Sequence, residues 1–186
     1  MRRSRSACVY GFPVGEIGIV EDGEAIVQIR CLAGASSQHV RGTETALICE
    51  ARRQLLEYFD RERTSFDLPI RPKGNKFQQR VWRALLGIPC GETRTYLQIA
   101  NELEVPDASR LVGAACASNP LAIVIPCHRV AGAGGGLIGH ENGLALKRYL
   151  QDLERSYSGP QNAESLLNRY ERECARFVRE QAFSRA

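Results

Sequence analysis

Cys127, His128 and Glu154 are the residues of this chain whose types and setting could do chemistry. Cys127 differs from the other cysteines, at 8, 31, 49, 90, 116 and 174, in its surroundings. A proline precedes it, a histidine follows it, and the apolar run Leu121-Ala122-Ile123-Val124-Ile125 leads into it. That run reads as a short buried strand carrying the sulfur into the interior. The loop just beyond, with Gly132, Gly134, Gly135, Gly136 and Gly139, leaves a way in. His128 and Arg129 make the neighbourhood electropositive, which favours the thiolate, the nucleophilic form of the side chain. Neighbours on a strand point to opposite faces, so His128 is expected to reach the sulfur through a bridging water. A helix opened by Asn142-Gly143 and running from about Leu144 can return Glu154 to His128, where it would orient the ring and favour its protonated form.

These residues need elements to hold them. Gly23 in Asp22-Gly23-Glu24 suggests a hairpin between Ile17–Val20 and a strand over Ala25–Leu32. Thr43 can cap a helix running to about Asp60, with Leu47, Ile48, Ala51, Leu55 and Phe59 on one face. Residues 61–74 read as loop, and the domain boundary is placed there. Phe77, Val81, Trp82 and Leu85 mark a helix over about Lys76–Leu86. Two short helices follow, Tyr96–Leu103 and one opening at Asp107 or Ser109 and ending near Asn119-Pro120. A tight turn joins them, as in a helix-turn-helix, a pattern that by itself is common in helical domains. A last helix, about Ala163–Gln181, is amphipathic through Leu166, Leu167, Tyr170, Cys174, Phe177 and Val178. The expected division is 1–70, 71–154 and a helical extension over 155–186.

Composition narrows the classes. Hydrophobic residues make up 44% and charged residues 25%, the balance of a globular chain rather than a disordered or fibrous one. No apolar run approaches the ~20 residues of a membrane helix. The basic start Met1-Arg2-Arg3-Ser4-Arg5 is not followed by a continuous apolar stretch, so a cytoplasmic place, nuclear in a eukaryote, is expected. A net charge of +4 permits nucleic-acid binding without demanding it. Seven cysteines without a CxxC pair argue against a disulfide framework, and Cys8, Cys31 and His39 make no convincing metal set. No cofactor is expected.

Asn119-Pro120-Leu121-Ala122-Ile123-Val124-Ile125-Pro126-Cys127-His128-Arg129-Val130 resembles the active-site segment of the O6-alkylguanine-DNA alkyltransferases, the methylated-DNA–protein-cysteine methyltransferases. Phe77–Trp82 and Ile88–Tyr96 resemble the entry to that family's helix-turn-helix, Ser109–Ala115 its recognition helix and Gly143–Glu154 its closing helix. Residues 7–70 match more loosely, mainly at Tyr58-Phe59 and Phe66–Pro69. The resemblance implies an α/β chain with a small ribonuclease-H-like sheet-plus-helix part and a mainly helical catalytic part. It also implies a partner, double-stranded DNA containing O6-alkylguanine, bound by a monomer.

The implied reaction flips the alkylated guanine into a pocket, where Cys127 takes the alkyl group once and irreversibly. By motif position, His128 takes the thiol proton through water, Glu154 holds His128, and Tyr96 donates its hydroxyl toward the guanine. Arg110 fills the gap in the stack, and Thr95, Ser109, Ala115 and Arg129 lie along the DNA. Asn119 braces the turn before the active-site segment, and the backbone near Val130 selects guanine. His140 and Glu141 depart from the family's Gly-Tyr-x-x-Gly loop, in Gly139-His140-Glu141-Asn142-Gly143, and bear on the shape of the alkyl pocket. The alternative is a non-enzymatic alkylated-DNA recognition protein of the same fold, against which the intact Cys127 counts. A cysteine hydrolase fits less well, because sequence-adjacent Cys and His are wrongly spaced for a protease dyad.

Overall fold

The computed structural model describes residues 5–32, 42–136 and 141–156. The expected amphipathic stretch at 163–181, His140 and the side chain of Glu141 lie outside the described residues.

Three strands form an antiparallel meander: β1 (Ser6–Phe12), β2 (Gly15–Glu21) and β3 (Ile26–Leu32). The β2–β3 hairpin is the expected one; β1 is an additional strand, paired with β2 from Ser6↔Glu21 to Phe12↔Gly15. Alternation puts Cys8, Tyr10, Ile17, Ile19 and Ile29 on the buried face. Against this face packs α1 (Ala46–Phe59), which buries Ile48, Ala51 and Leu55. Thr45, not Thr43, is its cap: the Thr45 hydroxyl accepts from the Ile48 amide at 3.2 Å.

The second part is helical. α2 (Lys76–Leu86) starts in a capping box in which Asn75 and Gln78 exchange hydrogen bonds. Its Trp82 is 1% exposed and donates its ring N–H to the Ala115 carbonyl at 2.9 Å. Gly74 allows this, since a Cβ there would lie 2.5 Å from the Trp82 ring. β4 (Arg94–Thr95) leads into α3 (Tyr96–Glu102), and a 3₁₀ turn at Pro106–Ala108 leads into α4 (Ser109–Ala117). This pair is the expected helix-turn-helix. α4 turns Val112, Ala115 and Cys116 inward and leaves Arg110, Leu111, Ala114 and Ala117 outside. α5 (Glu141–Arg155) closes the fold, opening slightly before the expected Asn142-Gly143.

Both parts share one core. Their seam is hydrogen-bonded as well as packed: the Ile29 amide donates to the Pro120 carbonyl at 2.8 Å and the Ala122 amide to the Ile29 carbonyl at 3.0 Å.

The expected strand over Leu121–Ile125 is a turn. Only Leu121 bridges, to Ile29, and the Ile125 amide returns to the Leu121 carbonyl at 2.9 Å. Asn119 imposes this by taking the Leu121 amide on Oδ1 (2.9 Å) and donating Nδ2 to the Ile125 carbonyl (2.8 Å). Ile123 is held at φ +73°, a costly conformation for a β-branched residue. The run is buried as expected, but four or five apolar residues do not specify extended backbone.

Candidate active site

The turn delivers Cys127 to the start of a 3₁₀ turn, Cys127–Arg129, half-buried rather than enclosed. The backbone then extends as β5 (Val130–Ala131), which pairs in parallel with β4, Arg94↔Val130 and Thr95↔Ala131. This two-residue ladder brings Tyr96, the first residue of α3, alongside the Cys127 segment. Thr95 spends its hydroxyl on capping α3, accepting from the Gln98 amide at 3.1 Å.

Behind Cys127 the Glu154 carboxylate is a hub. His128 Nε2 lies 2.8 Å from its Oε1. Tyr58 donates its hydroxyl to Oε1 at 2.7 Å, and the Gly91 amide donates to Oε2 at 2.9 Å. Arg129 donates Nε to Oε2 at 3.0 Å and Nη2 to Oε1 at 2.8 Å, and its Nη1 goes to the Ile88 carbonyl at 2.6 Å. Gly91 sits at φ +81°, a turn that glycine takes without strain and that aims its N–H at the carboxylate. Gln151 donates to the His128 carbonyl at 2.7 Å and pins the turn to α5.

Burial pushes the Glu154 carboxyl up, but the donors His128 and Arg129 outweigh it and hold the acid well below the usual carboxylate range. Burial also dominates at His128 and lowers its pKa against the pull of Glu154. The ring is therefore neutral, not protonated as the sequence suggested. A neutral ring beside a carboxylate carries its proton on Nε2 and donates it there, which leaves Nδ1 as the basic nitrogen. Nδ1 is buried and has no hydrogen-bond partner among the described residues.

The structure places the other expected site residues at the surface, at helix starts and in the core. Tyr96 is half-buried, and the Lys147 ammonium of α5 donates to its hydroxyl at 3.3 Å. Arg110 is exposed on α4, Ser109 lies at that helix's start, and Val130 is fully buried in β5. Arg129 is 6% exposed and committed to Glu154, so it is an internal anchor rather than a DNA contact. Ala115 is 2% exposed beneath Trp82, and Ala114 faces outward instead. One residue along a helix is a rotation of about 100°, enough to move a side chain from surface to core.

Tyr58 and Lys147 were not among the expected site residues. A tyrosine on the apolar face of a helix must find a partner for its hydroxyl, and that is the available sequence signal, though it does not say which partner. Two further thiols, Cys31 and Cys116, neighbour Cys127, and burial pushes them up to about 11 and about 12. Such thiols stay protonated at neutral pH and do not compete as nucleophiles.

Comparison with known proteins agrees along the chain. Residues 8–72 match the family model for the ribonuclease-like domain of 6-O-methylguanine DNA methyltransferase, and residues 76–156 match its DNA-binding domain. The methylated-DNA–protein-cysteine methyltransferase of Methanosarcina acetivorans is 42% identical over 151 residues, 80% of this chain and 97% of that protein. The Mycobacterium tuberculosis protein of the same name is 42% identical over 146 residues, 77% of this chain and 88% of that one. The crystal structure of Mycobacterium tuberculosis O6-methylguanine methyltransferase superposes with a TM-score of 0.76 at 38% identity, covering 88% of this chain and 99% of that one. A structure of the mycobacterial protein in complex with DNA gives 0.74 at 40% identity, over 87% and 98%.

Proposed function

Because the chain belongs to the 6-O-methylguanine DNA methyltransferase family, we propose that it repairs DNA by moving an alkyl group from O6 of guanine to Cys127, once per molecule. The observation that carries this reading is His128, next to Cys127, with Nε2 on an ionised Glu154 and Nδ1 left as base.

In the proposed reaction Cys127 gives its proton to His128 Nδ1 through a water, and the thiolate attacks the alkyl carbon in line. The sulfur–carbon bond forms as the carbon–O6 bond breaks, and the electron pair of that bond stays on the guanine. Tyr96 supplies a proton or strong hydrogen bond to the leaving base, and the ammonium of Lys147 on its oxygen strengthens it as a donor. Glu154 keeps the ring in one tautomer and stabilises the imidazolium once it forms, as the acid of a Cys–His–acid relay does. Arg129 and Gly91 keep Glu154 ionised. The product is a thioether, and no group at the site can expel the alkyl chain, so the turnover is single.

The base must leave the duplex to reach a half-buried sulfur. α4 lies against the DNA through Arg110, Leu111 and Ala114, and Arg110 takes the place of the flipped nucleotide.

The test is mass spectrometry after incubation with duplex DNA containing O6-methylguanine. The chain gains one methyl, mapped to Cys127, and Cys127→Ser gains none while binding the same DNA within about threefold. A serine hydroxyl is near in size but far less nucleophilic at neutral pH. Methyl on another residue would refute the assignment, DNA binding without transfer by the unmodified chain would make it a recognition protein, and release of the group would make it a hydrolase.

A further inference from the structure

A groove among the described residues does not have Cys127 in its lining. It lies on the back of the active-site turn, between residues 64–70 on one side and 86–90 on the other, with a volume of about 510 Å³. Phe66, Leu68, Ile70, Leu86 and Ile88 line it, and Leu86 is 48% exposed there. Ile123, Val124, Pro126 and Arg129 complete its lining.

We propose that this groove is the dock for the chain's own C-terminal segment, through the apolar stripe of residues 163–178. Three observations select this occupant. First, the described chain ends beside the groove. Glu154 is tied to Gly91 through the Gly91 amide at 2.9 Å, and a Cβ on Gly91 would lie 3.6 Å from the Glu154 carbonyl. Pro89 and Cys90, next to Gly91, are groove wall, so residues 157–186 set out from its rim. Second, the segment has the matching chemistry. Leu166, Leu167, Tyr170, Cys174, Phe177 and Val178 recur at helical spacing, following a short spacer with Gly159-Pro160. Seven residues from Ser156 to Asn162 span up to about 23 Å when extended, enough to bring the stripe back over the groove. Third, the segment lies beyond the family core. The family model ends at residue 156. A tethered segment meets the groove at an effective concentration in the millimolar range for a short linker, an advantage that neither a second copy nor a free partner has.

The docked stripe backs the turn that presents Cys127. Ile123 sits at φ +73° with Asn119 on one side and the groove on the other, and a strained residue keeps its conformation only where its surroundings fix it.

Hydrogen exchange and thermal melting test the proposal on three proteins: the full chain, Leu166→Asp in the full chain, and Leu86→Asp in the groove. Docking predicts reciprocal footprints. Leu166→Asp lowers protection about tenfold in peptides covering 64–70 and 86–90, and Leu86→Asp does so in peptides covering 163–178. α3 and α4 are unchanged in both, and the melting temperature falls by several degrees at every protein concentration. Unchanged protection in either variant overturns the proposal. Footprints that strengthen with protein concentration overturn it in favour of a second copy. Protection lost evenly along the chain marks ordinary destabilisation and overturns it too.

Discussion

Glu154→Gln isolates the charge at the centre of the site without changing its shape. Four residues, Tyr58, Gly91, His128 and Arg129, direct hydrogen bonds at this carboxylate. An amide has one acceptor oxygen and one NH₂, so some donors would face a donor, and the Arg129 guanidinium would lose its counter-charge. The side chains of Arg129 and Glu154 are 8% and 2% exposed, so this is a buried ion pair rather than a screened surface one. Removing one partner of a buried pair costs roughly 3–5 kcal/mol, because the other charge stays behind uncompensated. At roughly 2–4 °C per kcal/mol for a chain of this length, the melting temperature should fall by about 6–20 °C. Tyr58→Phe removes one hydrogen bond to the same carboxylate and leaves the ion pair, about 1.5–3 kcal/mol, so its fall should be smaller. Thermal and urea melting at pH 7, without DNA, measure both. A Glu154→Gln protein melting within 2 °C of the parent, or melting above Tyr58→Phe, would refute the idea that this carboxylate is the keystone of the site.

The pH dependence has a definite sign. His128 titrates lower in the folded chain than its usual value near 6.5, so below about pH 6.5 the unfolded chain binds a proton that the folded one refuses. The stability held by the neutral ring is complete above that pH and is lost on acidification, with a slope of up to about 1.4 kcal/mol per pH unit. Urea melting from pH 7.5 to 5 should show this slope, and His128→Gln should flatten it; an equal slope in the variant would mean another group is titrating. Arg110→Ala should slow transfer from duplex DNA by tenfold or more yet change the reaction with free O6-benzylguanine less than twofold, measured as rates of Cys127 alkylation. Equal losses would remove Arg110 from base flipping. Asn119→Ala deprives the Leu121 amide and Ile125 carbonyl of their partner, about 1–3 kcal/mol, and should speed hydrogen exchange across 121–127 before any other segment. Unchanged exchange there would mean the turn holds itself.

The parts of this molecule that repeat locally were legible in its sequence. Phe77, Val81, Trp82 and Leu85 announce α2 by spacing alone, and Asp22-Gly23-Glu24 marks the β2–β3 hairpin. The meeting of His128 and Glu154 beside Cys127 was legible too, because a helix opened by Asn142-Gly143 can return Glu154 to that segment. Hidden were features decided by tertiary contact. Leu121–Ile125 has the composition of a strand, and it turns because the Asn119 side chain gathers its two ends. Arg129 looks like a surface cation until Glu154 arrives on α5 to receive it. Tyr58 joins the site from α1, 96 residues from Glu154, and no local pattern reports a hydroxyl partner at that distance. His128 is neutral for the same kind of reason: its partner was foreseeable, whereas the depth of its burial was not.

The Glu154 hub also sets an order in time. Synthesis runs from the N-terminus, and Arg129 and its neighbour Cys127 are made before Glu154, which follows Arg129 by 25 residues. At about 5–20 residues per second the ribosome needs about 1–5 s to cover that gap. Throughout it Cys127 and His128 exist without the carboxylate that holds the ring, and Tyr58 on α1 lacks its hydrogen-bond partner. For that interval of synthesis the proposed site is incomplete. The hydrogen bonds that join His128 and Arg129 to Glu154 form only with the final closure of α5.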